Sequence, residues 1–100
     1  MTHYIAILVP ADDGKWRALL PDVPECDTQA YGLAQGKKVA AESLDRHAQS
    51  NGFRLPAPRS LEEIERDEEW LIRNGVDFSR AVVTIVPWPC DPFVGALRSA

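Results

Sequence analysis

Residues Tyr4 to Val9 read Tyr-Ile-Ala-Ile-Leu-Val, apolar at odd and even positions alike, and Pro10 closes the run. A strand with one wet face alternates apolar and polar residues, whereas a strand apolar on both faces is covered on both sides. This segment therefore belongs in the interior of a sheet. A chain of 100 residues leaves room for a single core around it, because a second one would bury too little surface to hold together.

The rest of the chain supplies that core in order. Asp12-Asp13-Gly14 is turn chemistry, with a glycine free to take positive φ and aspartates able to bond their own backbone. Lys15 to Leu20 follows as a second strand, with Trp16, Ala18 and Leu20 on one face and Lys15, Arg17 and Leu19 on the other. The two strands form a hairpin. Pro21 and Pro24 interrupt the pattern, and Cys26 to Tyr31 reads as a short edge strand.

Gly32 opens a helix to about Asn51, with Leu33, Ala40, Leu44 and Ala48 inward, His47 beside them, and Glu42 placed to pair with Arg46. Gly36 lies inside it at a cost of about 1 kcal/mol relative to alanine. After Pro56-Ala57-Pro58, Ser60 and Glu63 form a capping box. A second helix is expected to Arg73, with Leu61, Ile64, Glu68 and Leu71 inward and Trp70 adjacent. The acidic run from Glu65 to Glu69 reads as a solvated face.

Ala81 to Val86 is a last apolar strand, after which Pro87 and Pro89 are expected to end regular pairing. The predicted class is α+β with element order β-β-β-α-α-β. The expected strand order is 3-2-1-4, with helices on one face and the last strand parallel to the first through a crossover. The open face, or the final strand edge, is then a natural dimer surface. The expected domain spans residues 1–90, and 91–100 form a short tail without a DNA-binding domain.

Charge and chemistry narrow the function classes. The net charge of −4 argues against unaided nucleic-acid binding, which needs clustered cations, and suits a basic protein partner. Cys26 and Cys90 have neither zinc spacing nor a disulfide framework. No charged leader precedes a long apolar run, and no stretch approaches the ~20 apolar residues of a membrane span. The cytoplasm is the expected compartment. Neither His3 nor His47 has a ligand partner at useful spacing, no serine sits in a nucleophile elbow, and no glycine loop cradles phosphate. Catalytic residues, metals and cofactors are therefore expected to be none.

The stretch Leu20-Pro21-Asp22-Val23-Pro24-Glu25-Cys26-Asp27-Thr28-Gln29 resembles the Pro-Asp-x-Pro-Gly-Cys-x-Thr-Gln signature of HicB-like antitoxins. The opening hairpin, the helix carrying Ala40, Glu42, Leu44 and His47, and the connector from Leu55 to Glu63 are similar to that family as well. The resemblance covers roughly residues 3 to 88. It implies a partial ribonuclease H-like fold, and an antitoxin that occludes a small basic HicA-type toxin acting on messenger RNA. It also implies a homodimer or tetramer that does not itself bind nucleic acid. The nucleases of the ribonuclease H fold hold metal ions with carboxylates, one of them in the first strand. Here no acid lies between Tyr4 and Val9.

Three positions depart from the pattern: Glu25 stands in place of glycine, Gly32 in place of a capping hydroxyl residue, and Lys37 at an often apolar site. The residues expected to touch a partner are Trp16, Asp22, Val23, Pro24 and Glu25. The competing reading makes Trp16 part of the core and the Pro21–Pro24 loop a device that sets strand register. An oligomeric regulatory module without a toxin is the alternative function. An enzyme would instead show a metal or a deep pocket of convergent carboxylates.

Overall fold

A computed structural model describes residues 2–52 and 54–88. Strands β1 (Thr2–Pro10), β2 (Trp16–Leu19), β3 (Thr28–Ala30) and β4 (Val82–Trp88) combine with helices α1 (Leu33–Ser50), α2 (Leu61–Glu65) and α3 (Glu68–Asn74). The class is α+β and the strand order is β3-β2-β1-β4, as the sequence predicts. Readings that concern Pro89, Cys90 and the 91–100 tail lie outside the described residues.

The hairpin turn explains its own composition. Asp13 and Gly14 take positive φ of 61° and 74°, and Lys15 N–H closes the turn on Asp12 C=O at 3.2 Å. β1 then pairs with β2 from Ile7↔Leu19 to Pro10↔Trp16.

Both rows of β1 are covered, each by a different helical unit. Tyr4, Ala6 and Leu8 pack with Ala18, Ala40, Leu44 and Val86, so α1 lies on that face. Ile7 and Val9 pack with Leu19, Ile64 and Trp70, which places α2 and α3 on the other. The expectation of helices on one face is thus corrected, and the two-sided apolarity of β1 is the reason. Burying side chains such as Ile7 or Leu8 contributes about 1.5–3 kcal/mol each, and a bare face would forfeit one whole row.

β4 is antiparallel to β1, from Thr2↔Trp88 to Leu8↔Val82, not parallel as expected. The direction follows from where α3 ends. Asn74 C=O accepts a hydrogen bond from Arg17 Nη1 at 3.1 Å, and Arg17 is the partner of Val9. The chain is thus delivered to the C-terminal end of β1, and the next strand can only run back along it. Pro87 does not end the pairing; it stands opposite His3 within β4.

The expected second helix is two short ones. Asp67 interrupts it: its Oδ1 accepts from Trp70 N–H at 3.2 Å, capping α3. The break turns Trp70 into the core (6% exposed) and leaves Glu68 in solvent. The Ser60–Glu63 capping box at the start of α2 forms in both directions. Along α1 the inner row is Gly36, Ala40, Leu44 and Ala48. Leu33, expected inward, is exposed, and Tyr31 N–H is taken by Gln35 Oε1 at 2.8 Å in place of a capping side chain. Gly36 occupies a close approach: a Cβ there would lie 2.9 Å from a methyl of Leu8. Glu42 and Arg46 do not appear among the ion pairs of the described residues.

Candidate functional site

Between β2 and β3 the chain runs through Leu20–Asp27, the segment whose sequence is most distinctive. Each of its distinctive residue types has a local task. Pro24 starts a 3-10 turn, Pro24–Cys26, where its missing N–H leaves nothing unpaired. Val23 N–H bonds Leu20 C=O at 2.9 Å, Cys26 N–H bonds Val23 C=O at 2.9 Å, and Asp27 Oδ1 accepts from Leu20 N–H at 3.0 Å. The loop is therefore closed on itself. None of its residues takes a positive φ, so Glu25 fits where glycine is usual.

Two further attachments fasten the loop to distant elements. Ser43 Oγ on α1 donates to Cys26 C=O at 2.9 Å. Burial pushes the Cys26 thiol up to about 11, against a modest opposing contribution from its hydrogen bond at Ser43; it is a packed side chain, not a nucleophile. On the opposite side Asp22 grips Arg59. Its Oδ2 accepts from Arg59 N–H at 2.8 Å, and its Oδ1 accepts from Arg59 Nε at 2.5 Å. Arg59 Nη1 continues to Asp67 Oδ2 at 3.0 Å. The Asp22 hydrogen bond chiefly raises the Arg59 pKa, and the Arg59 hydrogen bond chiefly lowers that of Asp67. One guanidinium thus locks the loop to the segment that carries α2 and α3.

The five residues singled out from the sequence divide accordingly. Val23 is core (1% exposed). The Asp22 side chain is 6% exposed and committed to Arg59. Trp16 is half-buried against the α1 side of the sheet. Pro24 and Glu25 face solvent, and Glu25 Oε2 lies 3.7 Å from His47 Nε2. Sequence reasoning missed Arg59, and the only local signal for it was its place beside the capping box. It also missed the exposure of Tyr31, with Lys15 Nζ 5.6 Å from its ring centre, and of Ile72 on α3 (80% exposed).

Nothing else among the described residues converges like a reaction centre. A shallow depression is lined by Val9, Pro10, Arg17, Gly75, Asp77 and Arg80. Its carboxylate, Asp77, is already engaged by the hydroxyl of Ser79 at 2.7 Å. No group of three potential metal ligands occurs among the described residues. No described helix is long and apolar enough to cross a membrane.

No family model and no curated protein matches the sequence. Solved structures do match the fold. The N-terminal domain of Burkholderia pseudomallei antitoxin HicB is 16% identical, with a TM-score of 0.66 over 86% of this chain and 96% of that one. A chain of the HicA3 and HicB3 toxin-antitoxin complex is 21% identical, with a TM-score of 0.58 over the same shares. The chain therefore has the fold of the HicB N-terminal domain.

Proposed function

We propose that the chain is a HicB-like antitoxin, or an orphan relative, that binds and occludes a small basic HicA-type toxin. One observation carries the reading. The segment that resembles the HicB signature, Leu20–Gln29, is folded on a HicB-type sheet into a closed loop pinned at both sides by Ser43 and Arg59. The HicA3–HicB3 complex supports a toxin as the partner class. In this reading the protein works in the bacterial cytoplasm as a homo-oligomer, without catalysis and without nucleic-acid binding of its own.

Pro24 and Glu25 supply the loop's contact surface, and Asp22 and Val23 give it its shape. A rigid loop loses little conformational entropy on binding, which favours affinity. The exposed carboxylates of the loop and of α2–α3, Glu25, Glu62, Glu65, Glu68 and Glu69 among them, favour approach of a basic partner.

Co-expression with a HicA-type toxin, followed by co-purification, tests the proposal. Restored growth and a stable complex are expected. Unrelieved toxicity together with no complex would refute it and leave the toxin-free regulatory module.

A further inference from the structure

Among the described residues β4 is an edge strand whose outer side is unpaired. Val82 to Trp88 carries no charged residue, and Val82, Val83 and Ile85 are 38%, 36% and 50% exposed. Natural edges are normally blunted by lysines, bulges or covering segments. The register of β1 with β4 runs without a bulge.

The direction of each backbone group on this edge can be worked out. In an antiparallel ladder a residue's N–H and C=O point to the same side, and successive residues alternate. Ala11 N–H bonds Lys15 C=O at 2.8 Å, so odd-numbered residues of β1 face β2. Even-numbered residues of β1 face β4, and they pair with Tyr4↔Val86, Ala6↔Thr84 and Leu8↔Val82. The even residues of β4 are therefore used inside the chain, and Val83, Ile85 and Pro87 direct their backbone outward. That is also why Pro87 is tolerated within the strand: its missing N–H falls on the free side.

We infer that this edge is a homodimer interface, in which β4 pairs antiparallel with β4 of a second copy about a two-fold axis at Thr84. In that register Val83 meets Ile85 of the second copy and Ile85 meets its Val83, giving four backbone hydrogen bonds. The next outward positions, Pro87 and Ala81, then face each other. Pro87 has no N–H, and Ala81 N–H is already bonded to Asp77 C=O at 3.0 Å. Neither loses a bond by standing just outside the ladder. Centring the axis on Ile85 would also allow four bonds, but it would set Pro87 against Val83 and leave the Val83 C=O unpaired inside the ladder at each end.

Side chains agree with the backbone. Val83 and Ile85 lie opposite Ile7 and Ile5 on the face of α2 and α3, and that cover ends short of β4. Pairing would join two such apolar strips where no charge repels. A two-fold contact of this kind is self-complementary, which makes a second copy the fitting occupant. The interface gives a location to the proposed oligomer and is independent of toxin binding.

Sedimentation equilibrium of the full chain over a concentration series, with three variants, tests it. The wild type is expected at twice 11.1 kDa. Ile85→Pro removes an outward N–H that β1 does not use, and Ile85→Lys adds charge at the contact. Both are expected to sediment at half the wild-type mass with unchanged circular dichroism. Thr84→Cys, in a Cys90→Ser background, is expected to cross-link to itself under mild oxidation, because facing non-bonded pairs have Cα atoms about 4.5 Å apart. A monomeric wild type would overturn both the oligomer and this interface. A dimer that survives both Ile85 variants, or that fails to cross-link, would overturn the interface alone. A monomer whose toxin binding is lost in Ile85→Pro would assign the edge to a partner strand and overturn the pairing of copies.

Discussion

Replacing Gly36 by alanine sets two well-separated effects against each other. In a solvent-exposed helix interior the substitution stabilises by about 1 kcal/mol, because glycine loses more backbone freedom on folding. Here the added Cβ would stand 2.9 and 3.0 Å from the two methyls of Leu8, and Leu8 is 2% exposed. Relieving such a contact in a packed core costs about 1–3 kcal/mol. Gly36→Ala is therefore expected to be neutral or to destabilise by up to about 2 kcal/mol, the balance of those two contributions. Leu8→Ala alone should cost about 2–5 kcal/mol. In the double variant the clash is gone and the new methyl fills part of the vacated space. The pair should then be more stable than the sum by about 1–3 kcal/mol. Urea unfolding with a shared m-value measures all four corners of the cycle. A stabilising Gly36→Ala that adds independently to Leu8→Ala would refute the packing of α1 on β1 through this glycine.

Asp22→Asn is expected to cost about 1–3 kcal/mol by weakening the charged grip on Arg59, with the loss absent in an Arg59→Met background, as a double-mutant cycle would read. Glu25→Lys should leave stability within about 0.5 kcal/mol while slowing association with a basic toxin at low salt, measurable by surface plasmon resonance. Cys26 has its folded pKa raised from 9.0 to about 11, so its contribution is fully present below pH 9 and is lost as pH rises through 11. Stability of Cys26→Ala should fall less steeply over that window in alkaline unfolding titrations. Asp67 has its folded pKa lowered, first by the Arg59 hydrogen bond. Its contribution is present above 3.8 and is lost as pH falls through the lower folded value, a slope that Asp67→Asn should flatten in acid unfolding curves.

Much of the architecture is legible in local pattern. The two apolar rows of β1, the turn at Asp12–Gly14 and the Ser60–Glu63 box each involve residues only a few positions apart. Short-range stereochemistry therefore specifies them, and the structure has them where the sequence places them. The candidate loop is half legible. Its prolines and cysteine mark it, but the partner of Asp22 lies 37 residues away, and no periodicity reports that.

Tertiary structure alone decided the remaining features. The direction of β4 depends on which end of β1 receives the chain after α3. The break at Asp67 depends on Ile64 and Trp70 both reaching the second face of the sheet, and the need for glycine at position 36 depends on Leu8 arriving from another strand. Pro87 reads as a terminator in isolation, yet it is accommodated because its nitrogen faces the open side of the ladder. Side-chain pattern records which face of an element is buried. What lies against that face, and which way the backbone of an edge points, are set only when distant segments meet.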